Sequence, residues 1–173
     1  WDNPTQGFIN NPGSDFINTC TSTTIDIPHT GNGNAGADLF YESCEYREYI
    51  QAPLNQTLLP GKCYLASMHI RVGSYSGANI DSVGMYFSMG SPGQGNLNCP
   101  SPHTPLDRIN VVPQITNNPL VDMTAYSWQN VTGTFVASGG EDYITIGNFA
   151  PDANLNPQYF GPFSDRYAHY LID

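Results

Sequence analysis

The chain has 173 residues, and its 15 acidic and 5 basic side chains give a formal net charge of −10 at pH 7. So acidic a chain is a poor ligand for phosphate backbones, and we expect no nucleic-acid partner. Hydrophobic residues make up 39% of the sequence, enough for a core, which excludes a disordered chain. The length suits a single domain over residues 1–173. No apolar run reaches the roughly 20 residues that cross a bilayer, so we expect no direct membrane insertion.

The composition favours strands and turns over helices. There are 17 Gly and 14 Pro residues but only one lysine, Lys62, and few windows repeat at helical spacing. Nine segments are strand-like, and from them we predict about eight strands. In chain order the segments are Asp15–Asn18, Gly33–Tyr41, Glu45–Leu54, Lys62–Val72, Asp81–Met89, Val111–Ile115, Ser127–Ser138, Glu141–Phe149 and His169–Asp173. We therefore predict an all-β antiparallel sandwich, with a jelly roll as its form.

Turn signals suggest how the strands are connected. Gly139-Gly140 between two strand-like runs predicts a β-hairpin. Gly33–Tyr41 and Glu45–Leu54 are predicted to form another antiparallel pair. Long Pro-, Gly- and Asn-rich loops are predicted over Gly90–Asp107 and Asp152–Ser164.

The four cysteines are Cys20, Cys44, Cys63 and Cys99, and they form no CxxC pair. Their even number and the lysine-poor, acidic composition favour disulfides and an oxidising, extracellular setting. Three connectivities are open. Short loop closure favours Cys20–Cys44 with Cys63–Cys99, and four free thiols are the alternative.

No catalytic pattern emerges, and we expect a non-enzymatic protein. Four histidines are scattered without a G-x-S-x-G or H-E-x-x-H motif. Arg47 and Glu48 allow two interpretations: one of them contacts a ligand on an exposed sheet face, or Arg47 is a partly buried guanidinium that is satisfied by a carboxylate and carbonyls and locks the strand. The second is favoured, because Tyr46, Tyr49 and Ile50 around them suit a core.

Loop aromatics suggest a sugar-binding surface, since a flat ring can stack on a pyranose. Tyr126 and Trp128 are the candidate rings, and Asp107, Arg108 and Asn110 are the candidate polar contacts. The alternative is that these aromatics fill the core and cover loop bases.

Several sequence blocks together resemble a known family. They are SDFINTC (14–20), HTGNGNAGADL (29–39), EYREYIQAPL (45–54), LLPGKCYLASMHIRV (58–72), NIDSVGMYFS (79–88) and VTGTFVASGGEDYITIGNF (131–149). In this order they resemble the extracellular jelly-roll domain of Bacteroidota surface and secreted proteins. That domain is often linked to gliding-motility or type IX secretion sorting domains, and its fold is similar to galactose-binding-like carbohydrate-binding modules.

The resemblance implies a structural or adhesive module, displayed on the cell surface or assembled into a fibre. A carbohydrate-binding module of a larger secreted protein is the alternative. Relatives have a strand before Trp1 and continue past Asp173, so the chain is expected to lack its first strand and the end of its last. An open edge at Trp1 and Asp173 would then pair with neighbouring copies or domains of the same surface protein. Glycans are the other expected partner.

Two further sites follow from the resemblance. Related modules hold a structural Ca²⁺, and the matching positions here are Asn34, Asp38 and Asp173. Simple turn chemistry in TGNGNAG is the alternative to a metal. Ser82, within Asp81-Ser82-Val83, resembles an O-glycosylation site of Bacteroidota secreted proteins, and it also suits an ordinary strand residue.

Overall fold

The computed structural model describes residues 15–18, 27–42, 44–93, 108–116, 127–161 and 166–173. Within these ranges every named pair of strands is antiparallel. A short 3-10 turn lies at Asp152–Asn154. The strands are β1 Asp15–Asn18, β2 Gly33–Tyr41, β3 Ile50–Pro53, β4 Cys63–Val72, β5 Ala78–Asn79, β6 Val83–Ser88, β7 Ile115–Thr116, β8 Gln129–Val136, β9 Tyr143–Asn148, β10 Gln158–Tyr159 and β11 Tyr167–Ile172.

Two main sheets form the fold. One has the order β1-β2-β11-β4-β8 and the other the order β3-β9-β6-β7, while β10 and β5 form a separate small ladder. The predicted all-β antiparallel sandwich is confirmed, and the jelly-roll connection stays a prediction. No helix of the described residues is long and apolar enough to cross a membrane.

The core lies between the two main sheets, and alternation along the strands determines which residues enter it. In β4 the inward residues Met68, Ile70 and Val72 are buried, while Leu65 on the other face is exposed. The rings of Phe87 in β6 and Phe135 in β8 stack with their centroids 4.5 Å apart. This contact joins the two sheets directly.

The predicted hairpin at Gly139-Gly140 is wrong. Strand β8 pairs with β4, whereas β9 pairs with β3 and β6, so the turn carries the chain from one sheet to the other. Gly139 and Gly140 have φ angles of 97° and 95°. The Glu141 carboxylate accepts hydrogen bonds from the backbone N–H groups of Ser138 and Gly139, both at 2.8 Å. A Gly-Gly turn signal thus marks a change of sheet here.

The predicted pairing of Gly33–Tyr41 with Glu45–Leu54 is also wrong. Strand β2 lies between β1 and β11, and β3 pairs with β9. The contact between the two segments is local: the backbone N–H of Glu48 donates to the carbonyl oxygen of Asp38 at 2.9 Å, and an isolated bridge joins Tyr41 to Cys44 just before the second segment. Residues 45–49 are not in a strand, because their side chains and carbonyls turn to contacts outside the sheet, described below.

The predicted open edge at Asp173 is absent. Strand β11 is paired on one side with β2 and on the other with β4. Asp173 itself exchanges two backbone hydrogen bonds with His69, at 2.8 and 2.9 Å. Trp1 lies outside the described residues. A neighbouring chain therefore has no unpaired β11 backbone to add to.

Three short elements depart from the sequence prediction. Of Val111–Ile115 only Ile115 is in a strand, because β7 is Ile115–Thr116. The two-residue strands β5 and β10 were not predicted, since two residues show no alternation. Part of the predicted loop Asp152–Ser164 forms β10, and most of Gly90–Asp107 lies outside the described residues.

The state of the cysteines contradicts one of the two predicted disulfides. Cys63 is a free, exposed thiol at the start of β4, so the Cys63–Cys99 bridge is wrong. Cys44 is disulfide-bonded. Its partner lies outside the described residues, as do Cys20 and Cys99, and the Cys20–Cys44 bridge stays a prediction.

Candidate functional site: a cavity beside Arg108

A cavity of about 320 Å³ lies over the outer face of the four-stranded sheet. The outer face is identified by Tyr86, which alternates with the core residues Met85 and Phe87 and packs in a second cluster with Phe149. The polar lining residues are Ser82, Arg108, Asn110, Thr116 and Asn154. The apolar lining residues are Val111, Val112, Pro113, Phe149, Ala150 and Pro151.

Tyr49 fixes one wall of this cavity to the sheet. A side chain on Gly147 would bring its Cβ within 2.3 Å of Tyr49 Cδ1, so the ring needs the bare glycine beneath it. The Tyr49 hydroxyl donates to the carbonyl oxygen of Asn148 at 2.7 Å and accepts from the backbone N–H of Ile109 at 3.1 Å. The segment that contains Arg108 and Asn110 is thereby held over β9.

Arg108 is bound on several sides by protein oxygens. Its Nη1 donates to Asn110 Oδ1 at 3.2 Å and to the carbonyl oxygen of Phe149 at 3.0 Å. Its Nε lies 3.5 Å from Glu45 Oε2, and only 16% of its side chain is exposed. The guanidinium therefore serves as a fixed wall of the cavity.

Arg47 holds the lining segment that follows Phe149. Its side chain is fully buried and ion-pairs with Asp152. It also donates to the carbonyl oxygens of Tyr46 at 2.8 Å and Ala150 at 3.2 Å. The predicted partners of Arg47, a carboxylate and carbonyls, are confirmed, but its side chain is fully rather than partly buried and residues 45–49 are not in a strand.

Glu45 connects the two arginines. One of its oxygens accepts from the backbone N–H of Asp152 at 3.2 Å, and the other lies 3.5 Å from Arg108 Nε. One continuous network of charged residues thus supports the cavity. It runs from Arg47 through Asp152 and Glu45 to Arg108. A buried or half-buried network in which each charge faces an opposite charge holds its members in one geometry.

Glu48 faces away from this network, into the interior beside β2. Its carboxylate accepts from the backbone N–H of Asp38 at 2.7 Å and contacts the Tyr46 hydroxyl. Burial raises the pKa of Glu48, although these two donors and His169 oppose the rise and the Asp38 carboxylate adds to it. Burial and the Glu48 contact also raise the pKa of Tyr46.

The predicted sugar-binding residues do not converge. Arg108 and Asn110 line the cavity, but Trp128 lies on the outer face of the other sheet. Its ring is 5.5 Å from the guanidinium of Arg71, which alternates with the core residues Ile70 and Val72. Tyr126 and Asp107 lie outside the described residues.

The Trp128 region is a compact cluster of its own. The indole N–H of Trp128 donates to the carbonyl oxygen of Ile27 at 3.1 Å. The imidazole of His29 stacks on that of His69 at 3.8 Å and meets the Trp128 ring edge-on at 6.1 Å. The indole thus anchors the segment before β2, which accounts for its position without a ligand.

Asp38 and Asp173, two of the predicted calcium ligands, are each engaged in contacts within the protein, and the calcium site stays a prediction. Asp38 is paired with His169 Nδ1 at 2.8 Å, and Asp173 accepts from the N–H and hydroxyl of Thr30 at 2.9 and 3.0 Å. Asp38 lies opposite His169, four positions from Asp173 along β11, which is roughly 13 Å in a strand. Among the described residues, no group of three or more His, Cys, Asp or Glu could hold a metal. Asn34 is buried in β2.

Ser82 lies on the rim of the cavity with φ at 71°, a conformation that non-glycine residues seldom adopt. Its role as a glycosylation site stays a prediction. Thr116 and Asn154 were not predicted as lining residues, because single polar residues follow no sequence pattern. The role of Glu45 was not predicted either.

No model of a known protein family matches this chain, and a comparison with curated proteins finds no match. The Bacteroidota jelly-roll family therefore stays a prediction. The cavity and the charged network that supports it are therefore the features that bear on function.

Proposed function

We propose that this chain is a non-enzymatic, extracellular adhesive module that binds a carbohydrate in the cavity beside Arg108. The observation that carries the proposal is the lining of that cavity, which combines hydroxyl and amide groups with apolar surface. Its volume of about 320 Å³ is at the lower end of the roughly 300–1,000 Å³ of small-molecule sites.

The lining matches the two surfaces that a sugar presents. Ser82, Asn110 and Thr116 can exchange hydrogen bonds with hydroxyl groups, which act as both donors and acceptors. Val111 and the exposed Val112 offer apolar surface for the C–H face of a ring. Such a mixture of apolar walls and few polar groups is typical of ligand sites.

The supports of the cavity favour binding over catalysis. Glu45 and Asp152 are the carboxylates beside it, and both are engaged with arginines. A network fixed before the ligand arrives lowers the ordering cost of binding. A general acid or base would instead have to be within reach of the substrate.

The proposed setting follows from composition. One lysine, a net charge of −10 and an even number of cysteines suit a secreted protein. Assembly into a fibre through an edge at Asp173 is not part of the proposal, because β11 is paired on both sides.

Glycan-array binding tests the proposal, with Asn110→Ala as the cavity variant. Asn130→Ala is the matched control, because Asn130 is also an exposed asparagine but lies on the outer face of the other sheet. We expect binding by the natural chain, a loss of at least roughly tenfold for Asn110→Ala and no change for Asn130→Ala. Absence of binding to any glycan, or an equal loss in both variants, would contradict the proposal.

A further inference from the structure

We propose that the cavity selects neutral sugars over acidic ones and that Glu45 is the residue that enforces this choice. The inference rests on the proposed carbohydrate function and deepens it. It concerns one pair, the Glu45 carboxylate and the Arg108 guanidinium, whose Oε2 and Nε atoms lie 3.5 Å apart.

Among the described residues that line this cavity, Arg108 is the one cation, so within that part of the chain it is the group that would attract an acidic sugar. An acidic ligand needs a cation whose N–H groups point at it. Here Nη1 already donates to Asn110 Oδ1 and the Phe149 carbonyl, and Nε faces Glu45. The positive charge is thus matched by a carboxylate of the protein itself.

Glu45 is held in place and does not give way to a ligand. Its other oxygen accepts from the backbone N–H of Asp152, whose own carboxylate pairs with the buried Arg47. A uronate or sulfate at Arg108 would therefore meet a guanidinium whose charge the Glu45 carboxylate already matches, on a chain with a net charge of −10. The uncharged groups of Ser82, Thr116 and Asn154 leave neutral hydroxyl groups as the matching chemistry.

A glycan array that carries neutral oligosaccharides beside their uronic-acid and sulfated counterparts tests the inference. We expect the natural chain to bind neutral members, with acidic counterparts at least roughly tenfold weaker by calorimetry. Affinity for the neutral oligosaccharide should be unchanged between low and high salt, because no ion pair to the ligand forms. This measurement requires no variant.

Glu45→Gln then tests the role assigned to Glu45. The amide keeps an acceptor for Asp152 but uncovers the charge of Arg108, so binding of acidic counterparts should rise by roughly tenfold and weaken with salt. Asp173→Asn is the control, since it changes the net charge equally on the outer face of the other sheet, where Asp173 binds Thr30. It should produce no gain.

The outcomes separate the two proposals. A natural chain that binds acidic glycans more tightly than neutral ones overturns the inference and leaves the carbohydrate function standing. Binding to no glycan overturns the function itself. An equal gain in Glu45→Gln and Asp173→Asn would assign the selection to overall charge and overturn the role of Glu45.

Discussion

The buried guanidinium of Arg47 donates a hydrogen bond to the carbonyl oxygen of Ala150 at 3.2 Å, across 103 residues of sequence. Ala150 is part of the cavity lining. Arg47 lies two residues after Glu45, which contacts Arg108. The same five-residue segment, Glu45–Tyr49, therefore holds two parts of the cavity lining. Glu45 and Arg47 form hydrogen bonds to the segment 150–152. The Tyr49 hydroxyl accepts from the backbone N–H of Ile109, and the Tyr46 hydroxyl donates to the Glu48 carboxylate.

Replacing Arg47 should destabilise the fold strongly. Arg47→Met leaves the Asp152 carboxylate and two carbonyls without their donor, and we expect a loss of about 3–5 kcal/mol in the free energy of unfolding. Arg166→Met is the control, because Arg166 and Glu42 form an exposed pair at 3.2 Å, worth roughly 1 kcal/mol or less. Denaturant titrations measure both. Equal losses in the two variants would show that burial of the Arg47–Asp152 pair does not increase its contribution to the free energy of unfolding.

The sequence predicted individual strands better than it predicted their partners. Residues 15–18 and 33–41 have the predicted bounds, because their alternation or composition is local to each strand. Gly139-Gly140 was interpreted as a hairpin, but a turn of this type does not determine whether the next strand pairs or crosses to another sheet. Pro60 and Met89, from distant parts of the chain, lie against these two glycines, and such contacts leave no signal in the local sequence.

The candidate site was predicted only in part, for a related reason. Arg108 and Asn110 were selected as polar neighbours in sequence, and both line the cavity. Trp128 was placed with them by its residue type, yet it lies on the outer face of the other sheet and anchors Ile27. The partners of Arg47 were predicted by kind, as a carboxylate and carbonyls, because a buried guanidinium requires them. Their identity, 103 and 105 residues away, is set by the packing of the sheets.

Gly147→Ala should displace Tyr49. The added Cβ would lie 2.3 Å from Tyr49 Cδ1 and 3.2 Å from the carbonyl oxygen of Glu48, so the ring must move and its hydrogen bond to Ile109 is strained. We expect a loss of about 1–3 kcal/mol in the free energy of unfolding. Gly93→Ala is the control, since nothing lies within 4 Å of its Cβ position, and it should change stability by less than about 0.5 kcal/mol. A neutral Gly147→Ala would refute the close packing of Tyr49.

Thiol titration should find Cys63 reactive in the folded protein. Cys63 is exposed and free, whereas Cys44 is disulfide-bonded. The native protein should therefore react with a thiol reagent, and Cys63→Ser should lower the number of thiols that react by one. In the unfolded, unreduced protein we expect at most two reactive thiols, Cys63 and whichever of Cys20 and Cys99 does not bond Cys44. Four reactive thiols would contradict the disulfide.

Glu48 should make the protein less stable as the pH rises. Burial raises its pKa in the folded state, so the folded protein binds this proton more tightly than the unfolded chain. The resulting contribution is fully present below the unfolded pKa of about 4.3 and is lost as the pH rises through the folded pKa. The free energy of unfolding of the natural chain minus that of Glu48→Gln should fall with pH, by at most about 1.4 kcal/mol per unit. A difference that rises with pH would contradict this assignment.

Glu141 should affect the pH dependence of stability in the opposite direction to Glu48, so the two residues serve as controls for each other. Burial acts to raise the pKa of Glu141, but the backbone N–H groups of Glu141 itself, Ser138 and Gly139 outweigh it and lower the pKa. Its contribution is therefore present above the unfolded pKa and is lost as the pH falls through the lower folded value. The free energy of unfolding of the natural chain minus that of Glu141→Gln should rise with pH in acid titrations. Because the carboxylate holds the turn between the two sheets, a flat difference would mean that neutral hydrogen bonds suffice to hold this turn.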